Sequence, residues 1–144
     1  QKRVALGLKP DDIFILNVAR MVREKSQYFL IDAVKILSEN YPQIRTMIAG
    51  DGPLRTELEE QVRVTALQDT FWLPGRRSDV PELLNAADIF VLYSEIEGMP
   101  LSLMEAMSAK LPVIASEIGA NRDLVTNGIS GILVPFDSAE KLAR

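Results

Sequence analysis

An α/β domain, with a parallel β-sheet covered by helices on both faces, is the fold class this sequence predicts. Three observations point to it. Short runs rich in β-branched residues alternate with longer amphipathic stretches along the chain. The runs are apolar on both faces, as strands buried between helix layers must be. No fixed-period repeat, low-complexity tract or Gly/Ser linker interrupts the alternation. At 144 residues and 47% hydrophobic composition, residues 1–144 make one domain with a core of its own.

Ile13 to Ala19 reads as the first strand. Gln27 to Asn40 follows with Phe29, Leu30, Ala33, Val34 and Leu37 at helical spacing. Arg45 to Ala49 is a strand closed by Gly50-Asp51-Gly52, and Pro53 opens a helix through about Leu67. Thr70 to Leu73 is a short strand. Ser78 is the expected N-cap of a helix from Asp79 to Ala87, with Glu82 four residues on rather than at the capping-box spacing. Asp88 to Tyr93 is an apolar strand, Pro100 to Ala109 a helix and Pro112 to Ser116 a strand. Asn121 to Thr126 reads as a short helix, Asn127-Gly128 as a turn and Gly131 to Val134 as a last strand. A final helix begins at Ser138 and is expected to be cut short at Arg144.

Composition removes whole classes of chemistry. Without cysteine or histidine there are no disulfides, no thiolate or imidazole metal ligands, and no Ser-His or Cys-His nucleophile pair. The 16 basic and 20 acidic residues give a net charge of -4, and no basic run offers a footprint for nucleic acid. No apolar run approaches the roughly 20 residues of a membrane span, and the first residues lack a signal peptide's apolar stretch, so a cytoplasmic setting is expected. Any phosphate ligand needs local help.

Ligands of open parallel sheets bind at the carboxyl ends of the strands. The loops to read for function are therefore Arg20 to Ser26, Gly50 to Pro53, Gly75 to Ser78, Ser94 to Pro100 and Glu117 to Asn121. Ser94-Glu95-Ile96-Glu97-Gly98-Met99-Pro100 is the most informative, because it runs straight into a helix. Gly98 permits close backbone approach, and Pro100 suits a first helical turn. The amides of Leu101, Ser102 and Leu103 are expected to be free to bind an anion at the helix N-terminus. Glu97 precedes that helix and Glu105 lies more than a turn inside it. Two carboxylates flanking a phosphate site suit a nucleotide sugar, which has phosphate in the middle and hydroxyls on both sides. Gly50-Asp51-Gly52 reads as a structural turn rather than a metal or phospho-acceptor site. Phe71, Trp72 and Met107 read as core, and the apolar neighbours of Glu105 suggest a carboxylate that needs a partner.

The segment Glu97-Gly98-Met99-Pro100-Leu101-Ser102-Leu103-Met104-Glu105-Ala106-Met107 resembles the Glu-x7-Glu signature of glycosyltransferase family four and its glycogen-synthase-like relatives. The segment Ala19-Arg20-Met21-Val22-Arg23-Glu24-Lys25-Ser26 is similar to the same family's Gly-Arg-Leu…Glu-Lys-Gly stretch. The likeness continues through Ala49 to Pro53, Phe71 to Gly75, Asn85 to Asp88 and Asn127 to Gly131, nearly the whole chain. Ala19 and Ser26 stand where the family usually has glycine, Met99 where it has Phe, and Ala120 where it has the second Gly of a Gly-Gly turn. Asp123 stands near where a Glu is common.

The resemblance implies the C-terminal, donor-binding domain of a retaining hexosyltransferase. That domain is one Rossmann-like half of the two-domain GT-B fold, and the acceptor-binding N-terminal half would be absent. It implies Glu97 against the donor sugar hydroxyls, with Arg20 and Lys25 clamping the pyrophosphate and neutralising the leaving group. It also implies Glu105 on the ribose, the backbone of Gly98, Met99, Pro100, Leu101 and Ser102 on sugar and phosphate, and Gly75 and Arg76 near the base. The donor would be a nucleoside-diphosphate sugar, with no cofactor and no metal required. Any membrane contact, at the inner face, would be made through the absent half, and the isolated domain is expected to bind donor without efficient transfer. A nucleotide-sugar epimerase or phosphorylase of similar fold would call for histidines or a cofactor lysine, which are missing. A non-enzymatic regulatory module built around Asp51 would need an acidic cluster where the chain has Arg20.

Overall fold

The computed structural model describes residues 1–144. Six strands form one sheet, β1 (Ile13–Val18), β2 (Ile44–Ala49), β3 (Phe71–Gly75), β4 (Ile89–Leu92), β5 (Val113–Ser116) and β6 (Ile132–Val134). Every pairing is parallel, in the order β3-β2-β1-β4-β5-β6. The expected fold class is the one observed, a Rossmann-like α/β sheet. The order reverses between β1 and β4, the switch point at which open parallel sheets bind their ligands.

Seven helices accompany the sheet, α1 (Lys2–Ala5), α2 (Gln27–Ser38), α3 (Arg55–Val64), α4 (Val80–Ala86), α5 (Leu101–Ser108), α6 (Gly119–Leu124) and α7 (Ala139–Leu142). Strand alternation divides the core into two layers. Ile15, Ile48, Val91 and Tyr93 face Leu30, Ile31 and Val34 of α2 and Leu58 and Val62 of α3. Phe14, Leu16, Phe90 and Leu92 face Leu83 and Leu84 of α4 and Leu103 and Ala106 of α5. Burying each such side chain contributes about 1.5–3 kcal/mol, so this two-sided core is the main source of stability. Phe71 is buried in the first layer, while Trp72 and Met107 pack on the edge of the second.

Several element starts differ from the sequence reading for local reasons. Helix α3 begins at Arg55, after a turn in which Leu54, not Pro53, holds the cap position. Ser78 does not cap α4. Asp79 occupies the cap position, and its carboxylate is drawn instead to Arg77 and Lys2. Pro100 caps α5 from outside, at φ -79 and ψ 75, and is not its first helical residue. Helix α6 runs Gly119–Leu124, starting two residues before the expected Asn121. The last helix begins at Ala139, one residue after the expected start, and Ser138 caps it by accepting the Lys141 N–H.

Helix α1 was not foreseen. It is held from far along the chain. The Arg3 guanidinium donates to the Asp12 carbonyl at 2.6 Å, to the Ala86 carbonyl at 2.9 Å and to the Asp88 carboxylate at 2.8 Å.

Candidate nucleotide-sugar site

The loops after β1, β2 and β3 are sewn together by backbone bonds. The N–H of Met21 donates to Asp51 at 2.9 Å, that of Leu54 to Met21 at 3.1 Å, and that of Gly50 to Gly75 at 2.9 Å. This tightness explains two glycines. A Cβ on Gly50 would overlap the Ala19 carbonyl oxygen, and one on Gly52 the carbonyl of Met21. Asp51 accepts the Gly52 N–H at 2.8 Å and faces Arg55 at 3.4 Å. Gly50-Asp51-Gly52 is therefore a structural turn.

Arg20 stands exposed on that platform with no hydrogen-bond or ion-pair partner. A single 3-10 turn, Arg23–Lys25, follows and ends at Ser26, whose φ of 47 and ψ of 36 lie in the left-handed region. A residue with a Cβ is strained there by roughly 1 kcal/mol. The turn aims Lys25 across the switch point. Its Nζ donates to Glu97 Oε1 at 2.6 Å, and the Glu97 side chain is only 4% exposed. The Glu95 N–H donates to the Glu24 carbonyl at 2.8 Å, so the β1 and β4 loops meet through backbone as well as charge.

The start of α5 differs in detail from the sequence reading. The Leu101 N–H is taken by the Met99 carbonyl at 2.9 Å, and Pro100 has no N–H to offer. The amides of Gly98, Met99, Ser102 and Leu103 donate to no acceptor within the chain. Of the three amides expected, Ser102 and Leu103 remain free and Leu101 does not, while Gly98 and Met99 add two more before Pro100. A Cβ on Gly98 would meet nothing within 4 Å, which leaves that stretch open for close approach.

Glu105 is exposed and makes no ion pair within the chain, so its carboxylate has no protein partner. Leu103 and Ala106 turn into the core, which points Glu105 outward into a hollow of about 580 Å³ shared with Val80, Leu84, Asn85, Leu101 and Met104. Val80 also borders a hollow of about 440 Å³ lined by Arg20, Gly50, Asp51 and Arg76. Unpaired Glu105 lies on the first hollow and unpaired Arg20 on the second, and Val80 is the residue they share. Arg76 faces the second hollow freely. Arg77 lines it as well, but Asp79 holds its guanidinium through two bonds of 2.7 and 2.6 Å. Gly75 ends β3 at φ 85, just before Arg76.

Sequence reasoning missed a buried polar network behind the loop. Ser94, Ser116 and Asn121 are fully enclosed. Asn121 Nδ2 donates to the Ser116 carbonyl at 2.9 Å, Ser116 Oγ to the Ser94 carbonyl at 2.6 Å, and Ser94 Oγ to Glu97 Oε1 at 2.7 Å. The only local signal was polar residues at the ends of two apolar strands.

The strand ends around the switch point thus bring together the unpaired cations Arg20 and Arg76, the Lys25–Glu97 pair, free amides beside Pro100 and the exposed carboxylate of Glu105. The family model for the glycosyl transferases group 1 matches residues 1–144. The chain belongs to the group 1 glycosyl transferases. It is 36% identical over 142 residues to the Escherichia coli UDP-Gal:alpha-D-GlcNAc-diphosphoundecaprenol alpha-1,3-galactosyltransferase, covering 96% of this chain and 37% of that protein. Its fold superposes on HepE of Anabaena in complex with UDP and glucose, with TM-score 0.90 and 28% identity, over 99% of this chain and 39% of HepE. It superposes likewise on the C-terminal domain of the group 1 protein LpcC of Francisella tularensis, with TM-score 0.86 and 26% identity, covering 99% of this chain and 77% of that one. The chain thus spans little more than a third of the first two relatives. No helix is long and apolar enough to cross a membrane.

Proposed function

We propose that this chain is the donor-binding domain of a retaining hexosyltransferase, and that its donor is a nucleoside-diphosphate sugar with a uracil base. The observation that carries the reading is the Lys25–Glu97 pair at the switch point, flanked by unpaired Arg20 and the free amides around Pro100. Arg20 and Lys25 would neutralise the diphosphate, and Glu97 would accept from the sugar hydroxyls. Glu105 would hold the ribose, and Gly75 and Arg76 would border the base. The choice of uracil draws on HepE, which binds UDP and UDP-glucose, and on the UDP-galactose-using relative.

In the reaction this assigns, the bond from the anomeric carbon to the diphosphate oxygen breaks, and the acceptor oxygen bonds to the same face. The acceptor proton passes to a phosphate oxygen. No protein nucleophile is required. What the residues supply is charge stabilisation of the leaving diphosphate, placed before the bond breaks rather than recruited afterwards. Two cations and a helix start would do the work a divalent ion does elsewhere. The acceptor would be held by the remainder of the enzyme.

Calorimetric titration of the chain with UDP-, GDP- and ADP-sugars in the presence of a metal chelator tests the reading. Binding of UDP-sugars alone, without metal, is the expected result. A folded chain that binds no nucleotide, or binds only with added divalent metal, would overturn it.

A further inference from the structure

We infer that Ser94 is a positioning residue that keeps Glu97 aimed at the donor sugar when Lys25 turns to the diphosphate. The inference rests on the donor-site reading above. Ser94 Oγ and Lys25 Nζ both donate to the same oxygen, Oε1 of Glu97, at 2.7 and 2.6 Å. That convergence leaves Oε2 as the oxygen available to a ligand hydroxyl.

The two holders of Oε1 differ in how firmly they are placed. Lys25 sits on a flexible four-carbon stem, 24% exposed, with an ammonium that an arriving diphosphate competes for. Ser94 has one side-chain torsion, is fully buried, and is braced through its own carbonyl by Ser116, which Asn121 braces in turn. In that water-excluded setting its hydrogen bond to a carboxylate is stronger than a surface one. Ser94 therefore carries the orientation of Glu97 through the exchange of Lys25 from carboxylate to phosphate. A nucleotide without its sugar makes no use of Oε2, so its binding is indifferent to Ser94. The residue tells a sugar nucleotide from a bare nucleotide.

The test compares UDP-glucose and UDP binding to wild type, Ser94→Ala and Ser94→Cys, with a melting curve for each. Ser94→Ala is expected to weaken UDP-glucose by about ten-fold, the scale of one charge-assisted hydrogen bond, while UDP affinity stays within about two-fold. Ser94→Cys, which keeps a weak S–H donor, should fall between. Equal weakening of both ligands, with or without a lowered melting point, would mean a structural role and overturn the inference. So would no change in either. If wild type binds neither ligand, the donor-site reading itself fails, an outcome distinct from the first two.

Discussion

Replacing Gly50 by alanine tests how the donor platform is built. The added methyl would overlap the carbonyl oxygen of Ala19 and lie 2.9 Å from its carbon, where 3.4 Å or more is ordinary contact. Both atoms are backbone and cannot swing aside. Relief requires the β1 and β2 strand ends to part, which weakens the bonds Ala19 N–H to Ala49 at 3.2 Å and Met21 N–H to Asp51 at 2.9 Å. With about 1 kcal/mol for each of two lost bonds and about 1–3 kcal/mol for residual overpacking, the cost is about 3–5 kcal/mol. That is a large part of the ~5–15 kcal/mol typical of a domain. Urea unfolding followed by circular dichroism should show a midpoint about 2 M lower at unchanged slope, taking a slope of roughly 2 kcal/mol/M. Gly98→Ala is the paired control. It meets nothing within 4 Å and has no left-handed φ, so its stability should stay within about 0.5 kcal/mol of wild type. A Gly50→Ala protein with a wild-type midpoint, or a Gly98→Ala protein equally damaged, would refute the reasoning.

Two further outcomes follow from the site. Glu105→Ala removes an exposed, unpaired carboxylate, so unfolding should move by less than about 0.5 kcal/mol while UDP-glucose affinity falls several-fold; a collapse in stability would make Glu105 structural. The Arg77 guanidinium, with Lys2 behind it, holds the Asp79 carboxyl well below the usual carboxylate range. The folded value lies beneath the unfolded one of about 3.9, so this stabilisation is present above pH ~4 and is lost as pH falls below it. Asp79→Asn should therefore be less stable than wild type at pH 7, with the two curves converging toward pH 2. A gap independent of pH would show that charge is not the cause.

All six strands were legible in the sequence, because each is an apolar run bounded by glycine, proline or charge. What was not legible depended on partners distant in the chain. Helix α1 is only four residues long and owes its place to Arg3 reaching Asp12, Ala86 and Asp88. Ser78 had the composition of a cap, but the turn placed Asp79 at the cap position and Arg77 and Lys2 took its carboxylate. That Glu105 has no partner within the chain was not legible either, because, of its apolar neighbours, Leu103 and Ala106 turn into the core while Met104 stays exposed beside it. Arg20, Lys25 and Glu97 could be picked out by their places after strands. That Lys25 spends its charge on Glu97, and that Ser94 shares the same oxygen, depends on two loops 72 residues apart meeting.

Amide chemical-shift mapping of the labelled chain with UDP-glucose tests the location of the donor most directly. The expected shifts fall in residues 19–26, 75–77 and 97–105, around the carboxyl ends of β1, β3 and β4. They should spare Asp12, Lys110 and Gly128 to Ile132, which lie at the opposite ends of the strands. Shifts concentrated at that opposite edge would contradict the assignment of the site to the switch point.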